Sequence, residues 1–189
     1  ATDPTLLARD PGNRLLAHGP RYRLDGFAIR DTALHAAGLL DSRVGGRPVK
    51  PYQPAGLWSS LASNAKTEYK VSDGSDLYRK SLYTYWKRAV NPPRQLIFDS
   101  GGREACDVGV RRTNTPLQAL VLMNDVTFLE AARHLGRRAI RFSESESERL
   151  EALYRFATSA RPDPVKLDIM KDNLVHFRGH FEAYPDVAT

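Results

Sequence analysis

The densest run of polar side chains that could do chemistry lies directly before a clear helix start at Thr115. Its candidate ligand or interface residues are Arg103, Glu104, Arg112 and Asn114. The N–H groups of a helix N-terminus bind anions, and arginine adds planar charged donors. The segment therefore predicts a site for a sulfate, a phosphate or a sugar carboxylate. In the alternative, Arg112 and Asn114 are buried and hold the preceding loop against the helix, because buried polar groups need partners.

The Pro- and Gly-rich loop over residues 44–58 is a second candidate binding surface. Its candidate residues are Lys50, Tyr52 and Trp58. Aromatic rings in a loop can stack on sugars or bases, and a neighbouring lysine can bind an anionic group. In the alternative, the aromatic side chains pin an ordered loop to the core. A core role is favoured for Tyr78, Tyr85 and Trp86, further along the chain.

Two carboxylates suggest an acid–base interpretation. Asp31 and Glu104 could form the carboxylate pair that glycoside hydrolysis requires. Their sequence positions do not fix the distance between them, and Asp31 could instead pair with a basic residue of segment 77–112. The enzymatic interpretation is therefore an alternative, in which the chain forms part of a polysaccharide-processing active site.

The sequence offers little for a metal, a cofactor or a nucleophile. His176 and His180 are four residues apart on one helix face and could bind zinc if further ligands came from elsewhere, but no H-E-x-x-H motif is present. The single cysteine, Cys106, excludes an internal disulfide and a Cys-rich metal site, and no histidine lies near it in sequence. Neither a Gly-rich phosphate loop nor a C-x-x-C-H haem motif is present. We predict no cofactor and no metal.

Composition places the chain among globular proteins. It has 189 residues, of which 41% are hydrophobic and 26% charged, with a net charge of +6. Residues 77–112 carry eight basic and three acidic side chains, whereas residues 143–189 carry six and nine. This asymmetry predicts an internal electrostatic match or an acidic partner and does not by itself favour nucleic acid. The most apolar stretch, residues 117–123, is too short for membrane insertion.

The elements that must position these residues are predicted to be helical. Asp25, Thr115, Asp125, the Ser-Glu run from Ser143 and Asp163 are candidate helix starts, and Thr115 with Gln118 forms a capping box. An apolar stripe from Leu77 to Ala89 predicts another helix. Residues 96–98 are predicted to be extended. The last helix has a stripe expected to be buried, formed by Leu167, Met170, Leu174, Phe177 and Phe181.

These patterns predict a mainly α fold. We expect five to six helices in a single bundle-like domain, with a long Pro/Gly-rich ordered loop and little or no sheet. Residues 1–23 would form an N-terminal arm, residues 24–142 the main helical core and residues 143–189 a C-terminal helical pair. Because the sequence begins in polar residues without Met, we expect a fragment of a larger chain.

Several segments resemble a known family. They include KPYQPAGLW (50–58), RTNTPLQAL (112–120) and RFATSARPDP (155–164). Together they look like the C-terminal planctomycete-type domain of unknown function (domain of unknown function 1553), with similarity over nearly all of residues 7–164. Family members often have Asn-Asp-Pro where this chain has Val126 after Asp125. That difference weakens the predicted helix break, because valine can continue a helix.

The resemblance implies a context for the chain. Proteins with this domain are large and exported, and they often carry a cytochrome-c-like module and a second uncharacterised domain upstream. It implies an exported or periplasmic location and upstream domains as partners. We expect a non-catalytic interaction module that packs on a partner domain or binds an acidic or polysaccharide ligand. Its binding surfaces would be the Lys50–Trp58 loop and the Arg103–Asn114 segment, and nucleic-acid binding is a weaker alternative.

Overall fold

The computed structural model describes residues 4–16, 23–58, 69–87, 90–102 and 112–187. Within them are seven α-helices: α1 (Pro4–Arg9), α2 (Gly26–Ala37), α3 (Pro93–Ile97), α4 (Pro116–Asn124), α5 (Val126–Phe142), α6 (Glu146–Thr158) and α7 (Pro164–Ala183). Three 3-10 helices span Gly74–Tyr78, Ser81–Tyr83 and Pro185–Val187. The predicted mainly α class is confirmed. The described residues contain more helices than the predicted five to six, because the short helices α1 and α3 were not among those predicted.

Short-range capping explains where the long helices begin. The Asp25 carboxylate accepts a hydrogen bond from the Ala28 amide at 2.8 Å, and Thr115 forms the predicted capping box with Gln118. Asp125 ends α4 and caps α5, because its side chain accepts from the Thr127 amide at 2.9 Å. The helix break therefore persists with Val126 in place of proline.

The apolar interior is assembled between α2, α5 and the segments that flank α3. Helix α2 packs on α5, α5 packs on α6, and α6 packs on α7. The most deeply buried apolar side chains in the described ranges are Leu34, Val49, Val90 and Phe98. Gly26 lets α2 approach α3 closely, because a Cβ there would lie 3.1 Å from the Cα and the carbonyl oxygen of Gln95. The interior thus includes non-helical segments as well as helix faces.

The predicted helix over residues 77–89 is wrong. Gly74–Tyr78 and Ser81–Tyr83 are separate 3-10 helices, and Thr84 beyond them pairs with Val49 through an isolated parallel bridge. Groups from distant parts of the chain donate to backbone carbonyl oxygens that would accept hydrogen bonds from within an α-helix. The carbonyls of Leu77 and Arg79 accept from Arg30, and the carbonyl of Tyr83 accepts from the Val49 amide.

The predicted extended piece at residues 96–98 is also wrong. Residues 93–97 form α3, with Pro93 at the first helical position, where a missing N–H costs nothing. Three consecutive apolar residues are too few to show either a helical or a strand period. The turn after α3 places Asp99 in the left-handed region, at a φ of 60°.

The predicted burial of the α7 stripe is only partly right. Leu167, Met170 and Leu174 are half-buried, whereas Phe177 and Phe181 are exposed. Helix α7 has 20 residues and its neighbour α6 has 13, so α6 is too short to cover the whole stripe. Arg178 of α7 pairs with Glu146 at the start of α6, and the two phenylalanines stack on each other with ring centroids 6.4 Å apart.

Candidate functional site

A buried arginine on α2 organises the region around the Pro-rich loop. The side chain of Arg30 is 2% exposed, and its guanidinium donates to the carbonyl oxygens of Leu77 at 2.8 Å and Arg79 at 2.9 Å. Burial, reinforced by the nearby charge of Arg94, lowers the pKa of Arg30 from 12.5 to about 10. The group therefore remains charged at neutral pH and ties α2 to the segment after residue 76.

A second buried arginine, Arg79, holds the Gly-rich part of the loop. Its guanidinium donates to the carbonyl oxygens of Arg43, Gly45 and Arg47, and it lies 3.9 Å from the centroid of the Tyr83 ring. Arginine suits this task because its planar fork presents several donors in fixed directions. Together the two arginines fix where the loop, and therefore residues 50–58, can lie.

Two of the predicted loop residues meet in one aromatic cluster. The Trp58 ring is buried, with centroids 5.1 Å from Tyr69 and 5.9 Å from Tyr85, and its Nε1 donates to Gln53 Oε1 at 2.6 Å. Lys50 Nζ lies 5.7 Å and 5.4 Å from the centroids of the same two tyrosine rings. The Trp58 ring thus packs inside the chain, whereas Lys50 also lines an open surface depression.

Tyr52 belongs to a different feature, a small cavity between the loop and α3. The cavity has a volume of about 140 Å³. Its polar lining residues are Arg30, Gln53, Thr84, Arg94, Gln95 and Asp125. Prolines form much of the remaining wall, and Arg94 pairs with Asp125 across 2.7 Å. Among the predicted site residues in the described ranges, only Tyr52 lines this cavity, and burial raises its pKa.

Sequence analysis missed most of the cavity's polar residues. Gln53, Thr84, Arg94 and Gln95 come from three separated segments and form no spacing motif. The doublet Pro92-Pro93 gave the only local signal, since proline is favoured at the first position of a helix and α3 begins at Pro93, next to Arg94. Their convergence depends on the tertiary position of the loop.

The residues directly before α4 are exposed and not buried. Arg112 and Asn114 are both exposed, so the interpretation that they are buried is wrong. The buried residue is Gln118, whose Nε2 donates to the Ile97 carbonyl at 2.8 Å while its Oε1 accepts from the Thr115 amide at 3.0 Å. Arg103, Glu104 and Cys106 lie outside the described residues, so the anion site remains a prediction.

Asp99 connects the end of α3 to the start of α4. Its carboxylate accepts from the Thr113 amide at 2.7 Å and from the Thr113 hydroxyl at 2.8 Å. These bonds favour the ionised form, so the pKa of Asp99 lies below its ordinary value. Asp99 therefore stabilises the fold through its charged state.

Replacing Asp99 with asparagine should make stability less sensitive to acid. Because the folded pKa is lowered, the wild type's advantage is present above the unfolded value of about 3.9 and is lost as pH falls through the folded value. Asparagine tolerates the same left-handed backbone. We expect a lower melting temperature than wild type at pH 7 and a shrinking difference below pH ~4, measured by circular dichroism. A constant difference across pH would contradict this role.

The Asp31 carboxylate contacts a backbone amide and an arginine side chain. Its Oδ1 accepts from the Ser81 amide at 2.8 Å and lies 3.6 Å from Arg30 Nη1. Asp31 thus contacts segment 77–112 through a backbone amide. Its predicted catalytic partner, Glu104, lies outside the described residues, so the acid–base alternative stays a prediction.

The candidate metal ligands that the sequence offered are the two histidines of α7. The ring of His176 lies against Phe177, and that of His180 against Phe181, each at a centroid distance of 5.4 Å. In the described part of the chain, no three His, Cys, Asp or Glu side chains form a group able to hold a metal ion.

Two apolar features of the described surface are a groove and helix α4, whose Leu122 lines that groove. The groove has a volume of about 360 Å³, and its lining includes Ile29, Ala33, Ala36, Phe128, Ala131 and Leu135. Helix α4 buries only Gln118 and exposes Leu117, Leu120, Leu122 and Met123. Exposed apolar surface of this kind is typical of an interaction site.

Comparison with known proteins gives the family. The model of PSD1, described as a protein of unknown function (DUF1553), matches residues 1–174. The chain belongs to the PSD1 family. The PSD1 match includes α1 to α6 and the first part of α7. No curated protein and no solved structure matches the chain. In the described residues, no helix combines the length and apolarity needed to cross a bilayer.

Proposed function

We propose that the chain is a non-catalytic interaction module that packs on an upstream domain of the same protein. The observation that supports this proposal best is the inverted pattern of α4, which exposes its leucines and buries a glutamine. Leu120 and Met123 are 55% and 71% exposed, and they lie three residues apart on the same face. A partner that covered this face would remove apolar surface from water, and the packing within the chain would stay as it is.

The exposed apolar side chains of α4 indicate the partner's chemistry, because the centre of a protein interface is apolar and depleted of charged residues. The matching surface would therefore be apolar. The family resemblance supports an exported protein, associated with a cytochrome-c-like module, as the setting.

The 140 Å³ cavity does not have the carboxylate pair of a sugar hydrolase. An active site for sugar hydrolysis needs two carboxylates that face one space. Asp125 is the only carboxylate of the described residues that lines the 140 Å³ cavity, and it is already paired with Arg94. The enzymatic alternative stays a prediction, and Asp73 and Asp76 both line the open depression beside Lys50.

A matched pair of double variants tests the docking surface. We expect Leu120→Glu with Met123→Glu to weaken binding to the upstream domains roughly tenfold or more, because charges would be buried against apolar surface. The measurement is calorimetric titration of the chain with its separately produced upstream region. Circular dichroism should show an unchanged fold, since both side chains are exposed.

The control places the same changes on α7. Val165 and Ile169 are 68% and 54% exposed, so Val165→Glu with Ile169→Glu matches the test in chemistry and exposure. Binding should be preserved in this variant. Equal binding by both double variants, or no binding by wild type, would refute the proposal.

A further inference from the structure

We propose that the open depression beside Lys50 binds an acidic sugar unit, whose charged group contacts basic side chains and whose hydroxyls donate to an aspartate. The depression has a volume of about 520 Å³. Its described lining residues come from segments 47–50 and 70–76, and none of them belongs to α4. The site is therefore separate from the docking face, and the two proposals can fail independently.

The first argument is an excess of accessible positive charge. The depression is lined by three basic side chains, those of Arg47, Lys50 and Lys70. The first and last of these residues are exposed and the second is half-buried, so a ligand in the depression can reach them. They outnumber the two lining aspartates, and Asp76 already pairs with Arg43. An anionic group in the depression would reduce this imbalance of charge.

The second argument is that the two lining segments are held together before any ligand binds. The Ser72 amide donates to the Lys50 carbonyl at 2.8 Å, and the Ser72 hydroxyl accepts from the Lys50 amide at 2.8 Å. Lys50 Nζ lies 5.7 Å and 5.4 Å from the ring centroids of Tyr69 and Tyr85, within the range of cation–π contacts. Because these contacts fix the ammonium group in advance, less entropy is lost on binding.

The third argument is the hydrogen-bond acceptor beside the basic groups. Asp73 is exposed, lines the depression and makes no capping hydrogen bond to the 3-10 helix that follows it. An ionised carboxylate can only accept hydrogen bonds, so a ligand must offer donors to it. A bare anion offers none, whereas the hydroxyls of a sugar do. The combination of basic groups and a carboxylate therefore favours a hydroxylated anion.

The lining also distinguishes a sugar from a nucleotide. In the described part of the chain, no aromatic side chain lines the depression. Single bases are commonly bound by stacking on aromatic rings, so a nucleobase would gain little here. Pro48 and Val71 supply a small apolar wall on which the C–H groups of a sugar can pack. The volume lies within the roughly 300–1,000 Å³ of small-molecule sites.

The test compares acidic sugars with ligands that lack one of their two features. Glucuronate and glucose 6-phosphate carry both charge and hydroxyls, and they distinguish a carboxylate from a phosphate as the charged group. Methyl glucopyranoside has the hydroxyls without the charge, whereas acetate and inorganic phosphate have the charge without the sugar hydroxyls. Saturation-transfer NMR and calorimetry on the whole chain should show at least tenfold tighter binding of an acidic sugar than of these three comparison ligands.

Two double variants test the basic side chains, and a third is the matched control. Lys50→Gln with Lys70→Gln should weaken binding of the acidic sugar at least tenfold, because two charged donors are lost. Arg47→Gln with Lys70→Gln should have the same effect and changes only exposed residues. Arg133→Gln with Arg137→Gln removes equal charge from exposed positions outside the depression and should bind like wild type. Circular dichroism checks that each variant is folded.

Several results would overturn the proposal. Binding of neither acidic sugar would do so, as would equal binding of methyl glucopyranoside or of the bare anions. Folded depression variants that bind like wild type would contradict it, and an equal loss in the α5 control would show a response to net charge alone. Tenfold tighter binding of adenosine monophosphate than of glucose 6-phosphate would assign the depression to nucleotides instead.

Discussion

Replacing Arg30 with alanine is expected to lower the free energy of unfolding by about 3–5 kcal/mol, because removal of a buried charge leaves its partners unpaired. The substitution deprives the carbonyl oxygens of Leu77 and Arg79 of their donor. It also removes the positive neighbour of Asp31. Urea denaturation followed by circular dichroism measures the change.

Arg43→Ala is the matched control for this experiment. Arg43 pairs with Asp41 and Asp76 at the surface, where its side chain is 53% exposed. Exposed ion pairs contribute about 0–1 kcal/mol, so the control should remain close to wild type. Arg30→Lys should restore little, because an ammonium group cannot reproduce the planar fork. A loss below 1 kcal/mol for Arg30→Ala would show that the buried arginine does not hold the loop region.

Phe128→Ala is expected to cost about 3–5 kcal/mol, the usual range for removing a buried phenylalanine ring. Phe128 is 6% exposed, and its ring meets Phe98 edge-on at a centroid distance of 6.2 Å. The guanidinium of Arg94 lies 5.8 Å from the centroid of the same ring. The loss should therefore appear as a lower free energy of unfolding in urea, because the ring packs against both Phe98 and Arg94.

The control for this variant is Phe142→Ala on the same helix. Phe142 also meets another ring edge-on, that of Phe156 at 5.8 Å, but it is 56% exposed. We expect a loss of about 1 kcal/mol, mostly from the aromatic contact. Equal losses for the two variants would contradict the assignment of Phe128 to the core between α3 and α5.

Helix boundaries were predictable because they depend on residues within one turn. Asp25, Thr115, Asp125 and Asp163 each bond to a backbone amide two or three residues ahead. No tertiary contact is needed for these bonds. The same local character explains why the helix break at Asp125 persists without a following proline.

The cavity could not be predicted because its parts are distant in sequence. Arg30 binds carbonyls 47 and 49 residues away, and Arg94 binds Asp125, 31 residues away. No spacing rule connects such groups. Lys50, Tyr52 and Trp58 were identified as a set by residue type alone, and the structure places Lys50 and Trp58 in one aromatic cluster and Tyr52 at a separate cavity.

The mainly α class, the helix starts and the family could be read from the residues, because each of these depends on local patterns or on order along the chain. Tertiary contacts prevent an α-helix over residues 74–87, since Arg30 and Val49 donate to their backbone oxygens. They also determine that α4 exposes its leucines and buries Gln118. Periodicity indicates that an apolar face exists, whereas the lengths and positions of neighbouring elements determine what covers it.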